Sequence, residues 1–236
     1  MIKFNGYGIK RTPQTPISLT HEQYGLLSKW LSLLFWLIIP DIIAGVLSNG
    51  FMEQAVPFIY YFGMAMSIVV DFLYGFFLFK LSSVRNEYKT AGTFNMILAV
   101  MYFAVLVLPL NMVSVFASQI SVFGILSYYY EIKAHSSVLA GIDDALSAKW
   151  KKLWKWYIIF TVATIVAFGF GVFAAAAIFS SAAYSISAAG LIFALISLVL
   201  TGIAIVVCAI VLTVLRLIYL YRTAKIFKNL YEGHNM

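Results

Sequence analysis

Charge is the first scarcity. Only 11% of the 236 residues are Asp, Glu, Lys or Arg, while 63% are apolar. A soluble domain carries about a quarter charged residues. So few charges cannot cover a surface that faces water, and a bilayer is the solvent that fits. Cysteine is nearly missing too. Cys208 stands alone in an apolar run, which excludes a disulfide framework and a thiolate metal site. His21, His135 and His234 are far apart and show no HExxH spacing. Metal sites need ligand clusters, so no metal is expected and each histidine reads as a cytoplasmic loop residue.

The patterns of soluble catalysis are also absent. There is no GxxxxGK[ST] phosphate loop and no GxSxG nucleophile elbow. No polar stretch is long enough to hold a catalytic domain. The reading is a protein that is not an enzyme and needs no cofactor. A cleavable signal is not expected either, because the first 27 residues are polar and carry Pro13 and Pro16.

What the chain has is long apolar runs. Crossing the hydrocarbon takes about 20 helical residues. Residues 30–48, 57–79, 94–110, 112–132, 156–179 and 190–215 supply six candidate spans. The fourth is the weakest, because it contains Ser114, Ser118, Gln119 and Ser121. Pro109, Leu110 and Asn111 supply the turn before it. A five-span arrangement is the rival.

Positive charge decides between them. All 16 Lys and Arg residues fall in four clusters: before the first span, between the second and third, between the fourth and fifth, and after the sixth. The connections near 49–56, 110–112 and 180–189 contain none. Six spans put every cluster on one side, which the positive-inside rule makes the cytoplasm. Five spans would turn some clusters outward. The same placement explains the net charge of +7 without nucleic acid as a partner. The fold class is an all-α integral membrane protein of six transmembrane helices. They form three in–out–in hairpins in the cell (inner, cytoplasmic) membrane, with both termini cytoplasmic.

Residues 1–27 read as a cytoplasmic tail that ends in the start of a helix, since Thr20 and Gln23 fit a capping box. Residues 28–236 read as one bundle with a basic tail over 216–236. Between the fourth and fifth spans, Leu139, Ile142, Leu146, Trp150 and Leu153 recur at helical spacing. They predict an amphipathic helix over 134–155, lying on the membrane or extending the fifth span. Aromatic rings favour the interface. Trp30, Trp150, Trp154 and Trp156 are therefore expected there, with Lys149, Lys151, Lys152 and Lys155 towards anionic lipid.

Charges inside spans are functional candidates. Asp41 follows Pro40 in the first span, Asp71 lies in the second, and Arg216 sits near the cytoplasmic end of the sixth. At about 1.5 Å per residue, Asp41 is roughly 18 Å from Lys29 and Asp71 roughly 14 Å from Lys80, so the two carboxylates reach similar depth. Arg216 reaches Asp71 if the second and sixth spans are neighbours. Asp71 continues a ladder of Gly63, Ser67 and Gly75. Small residues let helices approach closely, so that ladder is a packing face, as is Ala163, Ala167, Gly171 and Ala175 in the fifth span.

Three roles follow for the intramembrane charges. They form a proton or cation site in a small transporter or channel, with Pro40 freeing a carbonyl for coordination. Alternatively they form a structural ion pair in a protein that serves a partner. A catalytic aspartate dyad is the third role. It lacks the GxGD motif of intramembrane aspartyl proteases, because Val69 and Val70 precede Asp71. Six spans in a chain this short leave little bulk for duplicated transporter halves. The leading expectation is an accessory component that binds a membrane-protein partner or a second copy of itself in the bilayer, and the alternative is the transporter or channel.

Overall fold

The computed structural model describes residues 19–108, 110–181 and 188–233, without the side chains of 110–118, 168, 170–181, 188–195 and 198. Every regular element among them is helical: α1 (His21–Leu47), α2 (Gly50–Ala55), α3 (Pro57–Lys80), α4 (Asn86–Val107), α5 (Leu110–Val138), α6 (Asp144–Ser181) and α7 (Ala188–Gly233), with a short 3-10 turn at Leu81–Ser83. Among the described residues, four stretches are long and apolar enough to cross a membrane: His21–Leu47, Pro57–Ser83, Asn86–Val107 and Val199–Gly233. Their outer faces expose large apolar side chains, among them Trp36, Phe62, Val69, Val100, Phe103, Val206 and Ile210. Water-facing monomers rarely expose apolar patches beyond a few hundred Å². These helices are those of an all-helical chain compatible with a membrane protein.

Local chemistry sets the helix ends. The Thr20 hydroxyl accepts from the Gln23 N–H at 3.4 Å, and the Gln23 side chain accepts from the Thr20 N–H at 3.0 Å, completing the expected capping box. Asn49 caps α2 by accepting from the Phe51 and Met52 N–H groups at 3.0 and 3.1 Å, so the connection near 49–56 is a short helix rather than a loop. Pro57 opens α3 at its first turn, where a missing N–H costs nothing. Pro109 and residues 182–187 lie outside the described residues.

Two sequence expectations need correction here. The segment 134–155 is not one amphipathic helix. Helix α5 runs on to Val138, the chain turns at Gly141 (φ 83°), and α6 starts at Asp144. Glycine takes that left-handed conformation without the penalty a Cβ brings, and Asp143 then caps α6 by accepting from the Leu146 N–H at 2.8 Å. The stripe of Leu146, Trp150 and Leu153 begins the fifth span's own helix and is fully buried. Likewise residues 216–233 are not a tail but the last turns of α7.

Each long helix packs mainly on its neighbours in the chain, and the last packs on the first. Trp30 against Phe77 and Gly63 against Leu47 set α1 antiparallel to α3. Phe94 against Phe123 and Tyr88 against His135 set α4 antiparallel to α5. Trp150 of α6 meets both His135 of α5 and Tyr219 of α7. His21 against Tyr231 and Phe35 against Tyr221 close the ring between α1 and α7.

The predicted ladder on α3 is divided among three surroundings. A Cβ on Gly63 would meet Leu47 at 2.7 Å on α1, and one on Gly75 would meet the Gly92 carbonyl oxygen at 2.8 Å on α4. Ser67 and Asp71, between them, line the interior of the ring. Four residues turn a helix by about 400°, so each step drifts by about 40°. Three steps carry the ladder from one neighbour, past the interior, to the other. In α6, Ala163 is exposed, so it is not part of a packing face within the chain. Ala167 is half-buried, and the side chains of Gly171 and Ala175 lie outside the description.

The core gathers at one end, the base. There the start of α1, the ends of α3 and α5, and the start of α6 bury Leu27, Leu31, Leu81, Leu139 and Trp150 together with Phe227 near the end of α7. Trp150 is therefore not an interfacial residue. Its ring is fully buried and its indole N–H donates to the Thr223 hydroxyl at 3.1 Å. Trp156 is 52% exposed, as a lipid-facing ring should be. Trp30 and Trp154 are half-buried, and Lys149, Lys151, Lys152 and Lys155 are exposed.

Candidate functional site

Inside the ring, above the base, lies a cavity of about 660 Å³. All six long helices line it. Asp41, Gly45 and Ser48 come from α1; Tyr60, Met64, Ser67 and Asp71 from α3; Asn95 and Tyr102 from α4; Gly124, Ser127, Tyr128 and Glu131 from α5; Tyr157 and Phe160 from α6; and Ala209, Leu212, Thr213 and Arg216 from α7. A polar interior in a membrane bundle is costly unless the groups are paired or wet.

The three charges singled out from sequence, Asp41, Asp71 and Arg216, all line this one space. Antiparallel pairing of α1 with α3 puts Asp41 near the level of Ser67. That is one helical turn, about 6 Å, from Asp71, which fits the depths expected from the sequence. Pro40 is half-buried within an unbroken α1. Its ring removes the bond to the Trp36 carbonyl just before Asp41.

Arg216 does not pair with Asp71. Its Nη2 donates to both Glu131 oxygens, at 3.1 and 2.9 Å, and to the Tyr74 hydroxyl at 2.8 Å. Tyr74 in turn donates to Glu131 Oε1 at 2.7 Å. The guanidinium lies over the Tyr74 and Tyr128 rings, 5.1 and 5.0 Å from their centroids. Tyr74 is three residues, just under one turn, nearer the base than Asp71, so Arg216 meets that level of α3 instead. This cluster forms the cavity floor. Below it, His135 Nε2 sits 3.5 Å from Glu131 Oε1, and His135 Nδ1 is 2.9 Å from the Tyr88 hydroxyl. His135 is fully buried and is not the loop residue its polarity suggested.

Glu131 is the cavity-lining side chain that the sequence concealed. It lies in the last turn of the fourth span, but Tyr128, Tyr129, Tyr130 and Lys133 around it mark an interface, where an acid draws no notice. The signal was its spacing of four from His135, which puts both on one face of α5.

Asp41 and Asp71, by contrast, make no hydrogen bond or ion pair with a described residue. Among the described residues no three His, Cys, Asp or Glu side chains converge as a metal would require. No family model, curated protein or solved structure matches the chain.

Proposed function

We propose that this protein is a small transporter or channel that binds a cation or a proton within its bundle, with Asp41 and Asp71 as the binding groups. One observation carries the reading: a cavity lined by all six long helices holds two carboxylates that make no hydrogen bond or ion pair with a described residue. Carboxylates left so in low dielectric need a proton or a counter-ion. Arg216, Glu131 and Tyr74 close the base side of that cavity and hold helices α3, α5 and α7 together there.

The proposal includes six spans with both termini cytoplasmic in the inner membrane. Helices α5 and α6, of 29 and 38 residues, exceed the roughly 20 needed to cross. Antiparallel neighbours bring the positive clusters to the base. A reporter fused at Asn111 is expected on the extracellular side. A cytoplasmic reporter there would reject the six-span arrangement.

The activity is tested in liposomes loaded with a pH-sensitive dye, with a cation gradient imposed. Wild-type protein is expected to pass protons or cations, and Asp71→Asn to abolish the flux while eluting as a folded species. No flux from the wild type would leave the accessory role, which the chain's size favours, as the standing explanation.

A further inference from the structure

We infer that the ion held between Asp41 and Asp71 is an organic ammonium ion, a charged amine with a carbon body, rather than a bare metal ion. The inference rests on the reading of the cavity as a cation site and adds the class of its ligand. Room is the first argument. About 660 Å³ falls within the 300–1,000 Å³ typical of small-molecule sites. A hard cation such as Ca²⁺ instead gathers about 6–8 oxygens within roughly 2.6 Å, and no such convergence of acidic or imidazole side chains exists among the described residues.

Charge balance is the second. Among the described residues the guanidinium at the cavity is that of Arg216, whose Nη2 is bound to Glu131 and Tyr74 and whose face is covered by two rings. That pair is neutral in sum. Among the described residues Asp41 and Asp71, when ionised, are therefore the unbalanced charges, and a ligand bearing one or two ammonium groups restores neutrality.

The walls are the third argument, and they separate an amine from a simple ion. Tyr60, Tyr102, Tyr157 and Phe160 reach the same space from α3, α4 and α6. Ring faces attract alkylammonium groups through their quadrupole, most strongly when water is excluded. They also cover the ligand's carbon atoms, which a hydrated Na⁺ or K⁺ does not have.

Calorimetric titration of the full-length protein in detergent micelles tests this. Butylammonium and tetramethylammonium chlorides are compared with NaCl and KCl at matched ionic strength. Saturable binding of the ammonium salts is expected, with no competition from Na⁺ or K⁺. Tyr157→Leu is expected to weaken binding about two- to thirtyfold, the range of one lost cation–π contact, with Tyr157→Phe close to wild type. Should Tyr157→Leu fold poorly, the wild-type competition series decides alone. Binding or flux of protons, Na⁺ or K⁺ that depends on Asp71, without ammonium binding, would overturn the ligand class and leave the cation site standing. No binding of any ion together with no flux would overturn both.

Discussion

Arg216→Met alone is expected to lower the unfolding free energy by about 3–5 kcal/mol, because it strands the Glu131 carboxylate in a buried site. The Glu131 side chain is 2% exposed, so its carboxylate has no water to fall back on, while Arg216 at 23% keeps part of its surface towards the cavity. Glu131→Leu alone should cost a similar amount by stranding the guanidinium. The double variant Glu131→Leu/Arg216→Met should recover most of the loss, since replacing a whole buried pair with apolar groups is often neutral. Equilibrium unfolding of detergent-solubilised protein measures all three. If the double variant is as unstable as either single one, the pair does not act as a unit. Asp71→Leu is expected to stay near wild-type stability, because Asp71 faces the cavity and makes no hydrogen bond or ion pair with a described residue.

Trp150→Ala should also cost about 3–5 kcal/mol, as deletion of a large buried ring does. Its centroid lies 4.6 Å from that of His135 and 5.8 Å from that of Tyr219, so the loss opens a hole between α5, α6 and α7. Trp150→Phe should cost much less. It keeps a ring in the hole, and Thr223 keeps its own bond to the Tyr219 carbonyl at 2.7 Å. The control is Trp156→Ala on the exposed face, where a surface change stays within about 0.5 kcal/mol. Equal losses at 150 and 156 would put Trp150 back at the lipid interface.

The helices were legible because their signals are local. Apolar runs, the Thr20–Gln23 box and the spacing of positive clusters depend only on neighbouring residues. The gathering of Asp41, Asp71 and Arg216 at one cavity was legible in part, since their depths along the spans matched and small residues flanked Asp71. What stayed hidden depends on where helices turn relative to one another. Trp150 is interfacial by composition and central by geometry, because its stripe faces His135 on α5 and Tyr219 and Thr223 on α7. The partner of Arg216 could not be read from depth alone. Asp71 and Tyr74 differ by less than one turn, and the choice fell to a glutamate on a helix whose packing no local pattern gave. The continuity of α7 past Arg216 was obscured for a similar reason: its charges suggested a tail, while Ala224 and Phe227 carried the contact with α1.

The ring order has a consequence for synthesis. Neighbouring helices meet as soon as each hairpin emerges, so most contacts form between segments made in succession. The seam between α1 and α7 is different, because its two sides lie far apart in the sequence. Tyr221, Phe227 and Tyr231 make the ring contacts with α1 on which that seam closes, so the ring stays open until they are in place. Helix α7 therefore acts as the keystone, and a bundle without it would carry five of the six walls and no chamber.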